Sequence, residues 1–347
     1  MKLGGLEYYN YSLPLKTSFI TSAGNISECR GIILKINDEN GNTGFGDIPL
    51  LKGFNSENES EIITELNSFN PQKIDVTDKF PPGKILFRSK TLQFAFDQAI
   101  TQIILKNNSK ALNVDFVNPV KVNAVTSLSN PEVLEENIRK FISNGCNTVK
   151  IKTGISDYQT ELHTIRKMRK SFPLLNIRLD VNGAWSFEES LKNIDLLKDL
   201  NIQYIEQPVA DTKDLIKLSK ISEIPLCADE SVRCLHDAEE IVSCGKIKFI
   251  VLKPSLFGGF SDFFRLKDLA EENAVNLIIS SSFESSVGNS WLIMLAASLN
   301  HKFAHGLATR DFFAGDLIEN PFPVSGFKIN FVPEKLRHIN PLREHVK

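Results

Sequence analysis

Residues 147–154 read NTVKIKTG, a short stretch of β-branched and apolar residues interrupted by Lys150 and Lys152. In a strand successive side chains point to opposite faces, so two lysines two residues apart share one face and crowd their ammonium groups together. Such an arrangement needs nearby negative charge. Working outward, seven more stretches have the same length and apolar character: VKVNAVTS (120–127), NIRLDVNG (176–183), IQYIEQP (202–208), IPLCADES (224–231), KFIVLKPS (248–255), NLIISSS (276–282) and KFAHGLAT (302–309). Amphipathic helical patterns separate them. Asn130-Pro131 opens one helix that Gly145 closes, Ser186 with Glu189 has capping-box spacing, and Gly245 ends another.

Eight strands alternating with helices predict either a closed parallel barrel or an open doubly wound sheet. No GxGxxG follows the first strand, which removes the best support for a dinucleotide-binding sheet and favours the barrel. The chain before it has another character. ECRGIILKINDENGNTGFGDIP places Asn40-Gly41 between two apolar runs, a hairpin signal. SENESEIITELNSF and SKTLQFAFDQAITQIILKN follow as helical patterns, each starting at a serine suited to N-capping. This region reads as an α+β unit. From Asp311 the β/α alternation stops, and the run FKINFVP suggests a tail that packs back on the N-terminal part.

The polar residues fall in register. Lys152, Asp180, Glu206, Asp229 and Lys253 stand at or near the ends of consecutive strands, 28, 26, 23 and 24 residues apart. In a barrel that spacing puts them on one rim, where such folds keep their active sites. One strand-end aspartate alone reads as a helix cap or a surface charge; five in consecutive units do not. Three neighbouring carboxylates repel each other and are costly to bury unpaired, so they demand a cation. Oxygen ligands without histidine or cysteine suit Mg²⁺, with Asp180, Glu206 and Asp229 as ligands. Lysines gathered near a divalent cation have their charged forms disfavoured, which makes a neutral amine base available for proton abstraction beside a carboxylate.

Composition bounds the partners. With a formal charge of −2 and 24% charged residues, the chain has no basic field for a nucleic acid or an anionic membrane, and a small-molecule carboxylate is the expected partner. No signal-peptide pattern and no run of ~18 apolar residues occurs, so a soluble, cytoplasmic protein is expected. The five cysteines lack CxxC spacing and read as reduced thiols rather than a disulfide or zinc framework. His163, His236, His301, Trp185 and Trp291 read as packing or surface residues, whereas His305, on the eighth strand, could approach the mouth.

Together, VKIKTG, LDVNGAW, IEQPV, ADES and VLKPSLFGG resemble the enolase superfamily, in its muconate-lactonizing-enzyme-like subgroup. The resemblance implies a modified TIM barrel, (β/α)₇β, over 113–310, an N-terminal α+β capping domain over 1–112, and a C-terminal segment over 311–347 that returns to the cap. ISSSFESSVG and GFGDIPLLKGFNSE are further similar to the o-succinylbenzoate synthase family, which dehydrates a cyclohexadiene carboxylate in menaquinone biosynthesis. That similarity implies that Lys152 abstracts the α-proton and then protonates the leaving hydroxyl. It also implies that Lys253 stabilises the enediolate from the opposite face, Lys150 acts electrostatically, and Arg178, Ser280 and Gly306 line the substrate pocket. The cap loops around Ser22–Asn25 and Leu50–Phe54 are expected to close over the substrate. N-succinylamino acid racemases and dipeptide epimerases share the five motifs. Dipeptide epimerases usually carry DxD on the eighth strand, and FAHGLATRDF has none. A non-catalytic barrel would have lost a base or a ligand, and all five are present.

Overall fold

The computed structural model describes residues 1–21, 24–51, 57–83, 87–128 and 130–341. The expected cap loops fall largely outside these residues. A long antiparallel ribbon opens the chain: β1 (Leu3–Thr21) pairs with β2 (Gly24–Asp38), which turns through Asn40-Gly41 into β3 (Thr43–Pro49). The Asp38 carboxylate accepts the N–H groups of Asn40 (2.9 Å) and Asn42 (2.7 Å), which fixes the turn. Two helices follow, α1 (Glu59–Ser68) and α2 (Lys90–Asn107). Ser89 caps α2 as expected, but Asn58, not a serine, caps α1: its side chain accepts from Ser60 N. Helix α2 is buried from Thr91 to Leu105. A helix enclosed on every side is not amphipathic, and α2 lies between the N-terminal sheet and the second layer of the molecule.

That layer is a curled parallel sheet. Its strands are β5 (Ala124–Ser127), β6 (Thr148–Lys152), β7 (Asn176–Asp180), β8 (Ile202–Glu206), β9 (Leu226–Ala228), β10 (Phe249–Leu252) and β11 (Asn276–Ile279), hydrogen-bonded in sequence order. The helices α3 (Pro131–Ser143), α4 (Tyr158–Ser171), α5 (Phe187–Leu197), α6 (Thr212–Ser219), α7 (Leu235–Ser243), α8 (Pro254–Phe257), α9 (Phe260–Glu272) and α10 (Ser286–Ala297) connect or follow them. Asn130 caps α3 with Pro131 in its first turn, and Ser186 with Glu189 forms a capping box on α5.

The eighth strand expected at 302–309 exists only as a seam. Val122 pairs with His305 and Ser280 with Gly306 in isolated parallel bridges, and these close the sheet between its two edges. The first expected strand is split: β4 (Val120–Lys121) pairs antiparallel with β12 (Lys328–Ile329), and only residues from Ala124 onward enter the parallel sheet. Beyond β12, the turn at Pro333–His338 brings the carbonyls of Arg337 and Ile339 to Gln102 of α2.

Two buried carboxylates of the N-terminal elements reach across to this sheet's helices. Asp47 of β3 accepts from Ser285 N (2.8 Å) and Ser285 Oγ (2.7 Å) at the start of α10, and from Tyr11 Oη (2.8 Å). Asp97 of α2 accepts from Phe260 N (2.6 Å) at the start of α9. Each therefore supplies an N-terminal cap from another part of the chain. Glycine is required beside both: a Cβ on Gly259 would lie 2.4 Å from Asp97 Oδ2, and one on Gly288 would lie 2.9 Å from Asp47 Oδ2. Among the described residues, no helix is long and apolar enough to cross a membrane, and all five cysteines are free.

Candidate functional site

The parallel register aligns the expected residues. Lys150 of β6 stands beside Arg178 of β7, Lys152 beside Asp180, and Asp180 beside Glu206 of β8. Asp229 follows β9 directly and Lys253 follows β10. The charged row thus crowns the C-terminal ends of the strands. Below it, Tyr204, Cys227, Phe249, Val251 and Ile278 form an apolar floor.

The contacts are ionic. Lys150 Nζ bridges Asp180 Oδ2 at 2.8 Å and Glu206 Oε1 at 2.9 Å, and Lys253 Nζ meets both oxygens of Asp229 at 2.6 Å. Lys152 is exposed at the end of β6. Burial works against protonation of Lys150, but the charges of Glu206, Asp180 and Asp229 outweigh it and hold its pKa well above the ordinary lysine range. Lys253 is half-buried, which opposes its charge, but the Asp229 and Glu230 carboxylates raise its pKa. The protein's own charges thus favour the ammonium form of both lysines; the expected lowering belongs to the state with a divalent cation beside them. Burial and the neighbouring Asp180 push the Glu206 carboxyl up to about 8. Asp180 is opposed by burial too, yet Lys150 keeps it below the ordinary value.

The donor set fits a hard divalent cation. Asp180 Oδ1 and Glu206 Oε2 are buried oxygens without a hydrogen-bond partner, and an orphaned carboxylate oxygen in the interior calls for positive charge. Asp180, Glu206 and Asp229 are 2%, 0% and 6% exposed. Among the described residues, no three His, Cys, Asp or Glu side chains converge tightly enough to enclose an ion. Both oxygens of Asp229 are taken up by Lys253.

Supporting side chains fix the loops that carry these groups. Gln207, with φ at 39°, accepts from Asp229 N (3.0 Å) and Ser231 N (3.2 Å), and its amide donates to Val209 O and Ser231 Oγ. Buried Glu161 accepts from the backbone N–H groups of Gly154, Ile155 and Ser156 at 2.9–3.0 Å, pinning the loop after Lys152. Glu284 accepts from Ser255 Oγ, Ser281 Oγ and Ser282 N at 2.6–2.7 Å, which orders the loop after β11. None of the three was singled out from the sequence. The serine-rich run around Glu284 was the available signal, because hydroxyls are what a buried carboxylate needs.

Ser280 and Gly306 lie paired at the closing seam, both half-buried, at the same end as the charged row. Arg178 does not reach that end. It is 0% exposed and bonds to Gln203 Oε1 (2.6 Å), Asn123 Oδ1 (3.3 Å) and Ala304 O (2.7 Å), with its guanidinium 4.8 Å above the Tyr204 ring. Its place in the interior leaves it no surface with which to meet a solute, and this corrects its assignment to the substrate pocket. His305 is likewise buried. Its Nδ1 accepts from Ile279 N (3.0 Å) and its ring stacks on His301, away from the mouth.

A family model described as Enolase C-terminal domain-like matches residues 133–335. The o-succinylbenzoate synthase of Enterococcus faecalis is 28% identical over 343 residues, covering 93% of this chain and 91% of that one. The L-amino acid-D/L-Glu epimerase of Sulfurimonas denitrificans is 26% identical over 305 residues, covering 85% and 89%. Among solved structures, the muconate lactonizing enzyme from Pseudomonas putida superimposes with a TM-score of 0.82 over 95% of this chain and 94% of that one, at 17% identity, a likeness of fold.

Proposed function

Since the chain belongs to the enolase superfamily, in the enolase C-terminal domain-like family, we propose that it is an o-succinylbenzoate synthase of the muconate-lactonizing-enzyme-like subgroup. The reaction is the Mg²⁺-dependent syn-dehydration of 2-succinyl-6-hydroxy-2,4-cyclohexadiene-1-carboxylate to 2-succinylbenzoate, a step of menaquinone synthesis. Asp180, Glu206 and Asp229 would hold Mg²⁺, which supplies fixed positive charge against the substrate carboxylate.

In this reading the neutral amine of Lys152 takes the proton from the α-carbon, and the C–H electron pair passes into the carboxylate as an enediolate. The resulting Lys152 ammonium gives that proton to the departing hydroxyl on the same face. The C–O bond breaks, water leaves and the ring becomes aromatic. Lys253, on the far side of the row, faces the developing charge as an ammonium. Lys150 stays with Asp180 and Glu206, and Ser280 with Gly306 borders the substrate.

The observation that carries the dehydratase reading is the neutral seam. Residues 304–309, Ala-His-Gly-Leu-Ala-Thr, bring no carboxylate to the rim where a dipeptide's ammonium group would need one. The relative from Enterococcus faecalis, similar over nearly the whole chain, supports the same reading. Lysines on two sides of the row, Lys152 and Lys253, favour N-succinylamino acid racemisation as the second reading, because a 1,1-proton transfer needs a base on each face. The test supplies the purified protein and Mg²⁺ with the cyclohexadiene carboxylate and, separately, with N-succinyl amino acids in D₂O. Absence of dehydration sinks the main reading; α-deuteration of the amino acids without dehydration establishes the second.

A measurable consequence concerns Glu206. Burial and Asp180 raise its carboxyl to about 8 despite the Lys150 ammonium, so it keeps part of its proton near neutral pH and must lose it to become a ligand. Mg²⁺ binding should release protons near neutral pH, and affinity should rise with pH. Calorimetry in buffers of different ionisation enthalpy reads this directly. Zero proton release would remove Glu206 from the ligand set.

A further inference from the structure

At the opposite end of the barrel, below the apolar floor, a cavity of about 250 Å³ opens among Lys121, Asn147, Thr148, Asn176, Gln203 and Lys302. No acidic residue lines it. Its hydrogen-bonding capacity is one-sided. Thr148 Oγ1 donates to Asn147 Oδ1 (2.9 Å) and accepts from Asn176 Nδ2 (3.4 Å), while Gln203 Oε1 is taken by Arg178 Nε (2.6 Å). The Asn147 and Gln203 carbonyls and the Thr148 hydroxyl each already accept one bond, while the amide N–H₂ groups of Asn147 and Gln203 make none among the described residues and stay available as donors.

Charge leans the same way. Lys121 stands directly opposite Lys328 in the β4–β12 pairing, where like charges are unfavourable. Among the described residues, neither of them nor Lys302 has an ion-pair partner. Behind the cavity lies Arg178, fully buried. Two nitrogens of its planar fork bond to the lining residues Gln203 and Ala304, and the third, Nη2, which neighbours both within that plane, has no partner.

We propose that this cavity is a binding site for a small tetrahedral oxyanion of the phosphate type. Lys121 and Lys302 supply the charge, and the Asn147 and Gln203 amides supply directed donors. Bound there, the anion ties the starts of β6, β7 and β8 to the β4–β12 ladder and relieves the Lys121–Lys328 opposition. Such a ligand stabilises the native state by mass action without touching the charged row.

The test titrates the whole protein with inorganic phosphate against sodium chloride of equal ionic strength, by calorimetry and by thermal unfolding. One saturable site with a dissociation constant of about 1 mM or tighter is expected, with a rise in unfolding temperature. The Lys121→Ala/Lys302→Ala double variant should bind phosphate at least about tenfold more weakly and, with the like-charge opposition removed, should unfold no earlier than the parent in chloride. Asn147→Asp, which places a carboxylate in the cavity, should abolish binding on its own. The proposal is overturned if phosphate does not saturate, or if either variant binds it as the parent does, since the anion would then be held by the lysines of the upper rim.

Discussion

Lys152→Ala should lower kcat by about 10⁴-fold or more, because it removes the group proposed both to take the proton and to return it. Lys152 is exposed at the end of β6, so the same change should leave folding stability within about 0.5 kcal/mol of the parent. Lys150→Ala should behave in the opposite way. Its ammonium bridges Asp180 and Glu206 at 2.8 and 2.9 Å, and removing one partner from a buried charge group costs about 3–5 kcal/mol. Mg²⁺ should restore much of that stability by supplying the missing charge. Steady-state rates and chemical unfolding with and without Mg²⁺ separate the two lysines. Appreciable dehydration by the Lys152 variant would remove it as the base.

Asp47→Ala should destabilise the protein by about 2–4 kcal/mol, since Tyr11 Oη, Ser285 N and Ser285 Oγ all lose their buried acceptor. The pH dependence makes the test sharper. Burial pushes the Asp47 carboxyl up to about 7, against the pull of its bonds to Ser285 and Tyr11. The unfolded chain releases this proton near pH 4. Between those values the folded protein holds a proton that the unfolded chain has lost, so stability from this group is fully present below pH 4, falls as pH rises, and is gone above 7. The fall amounts to at most about 4 kcal/mol. Asp47→Asn cannot titrate and should flatten that part of the profile. A slope between pH 4 and 7 identical to the parent's would assign it to another group.

What the sequence made legible was the periodic part. The row from Lys152 to Lys253 could be read because each member recurs once per β/α unit, and a repeating interval survives without knowledge of any contact. Arg178 was placed by resemblance alone, and a matched motif position carries no depth: two residues down the strand from Asp180 is a full layer deeper, where the side chain is fully buried. The eighth strand was drawn too long because KFAHGLAT has strand-like composition, whereas only His305 and Gly306 make bridges there. Asp47 and Asp97 were illegible. Asp47 meets Ser285 across 238 positions of chain and Asp97 meets Phe260 across 163, and no local pattern in the sequence marks such a pairing.

The seam has a consequence for how the chain is made. Val122 must find His305, and Ile279 must find Gly306, before the sheet is closed. During synthesis the first edge, β5, is complete long before its closing partner leaves the ribosome, and α9 and α10 emerge after the cap residues that hold their first turns. Until position 306 is free, β5 and each newest strand present open backbone to any neighbouring chain. Protein truncated shortly before the seam should therefore aggregate rather than persist as a smaller barrel.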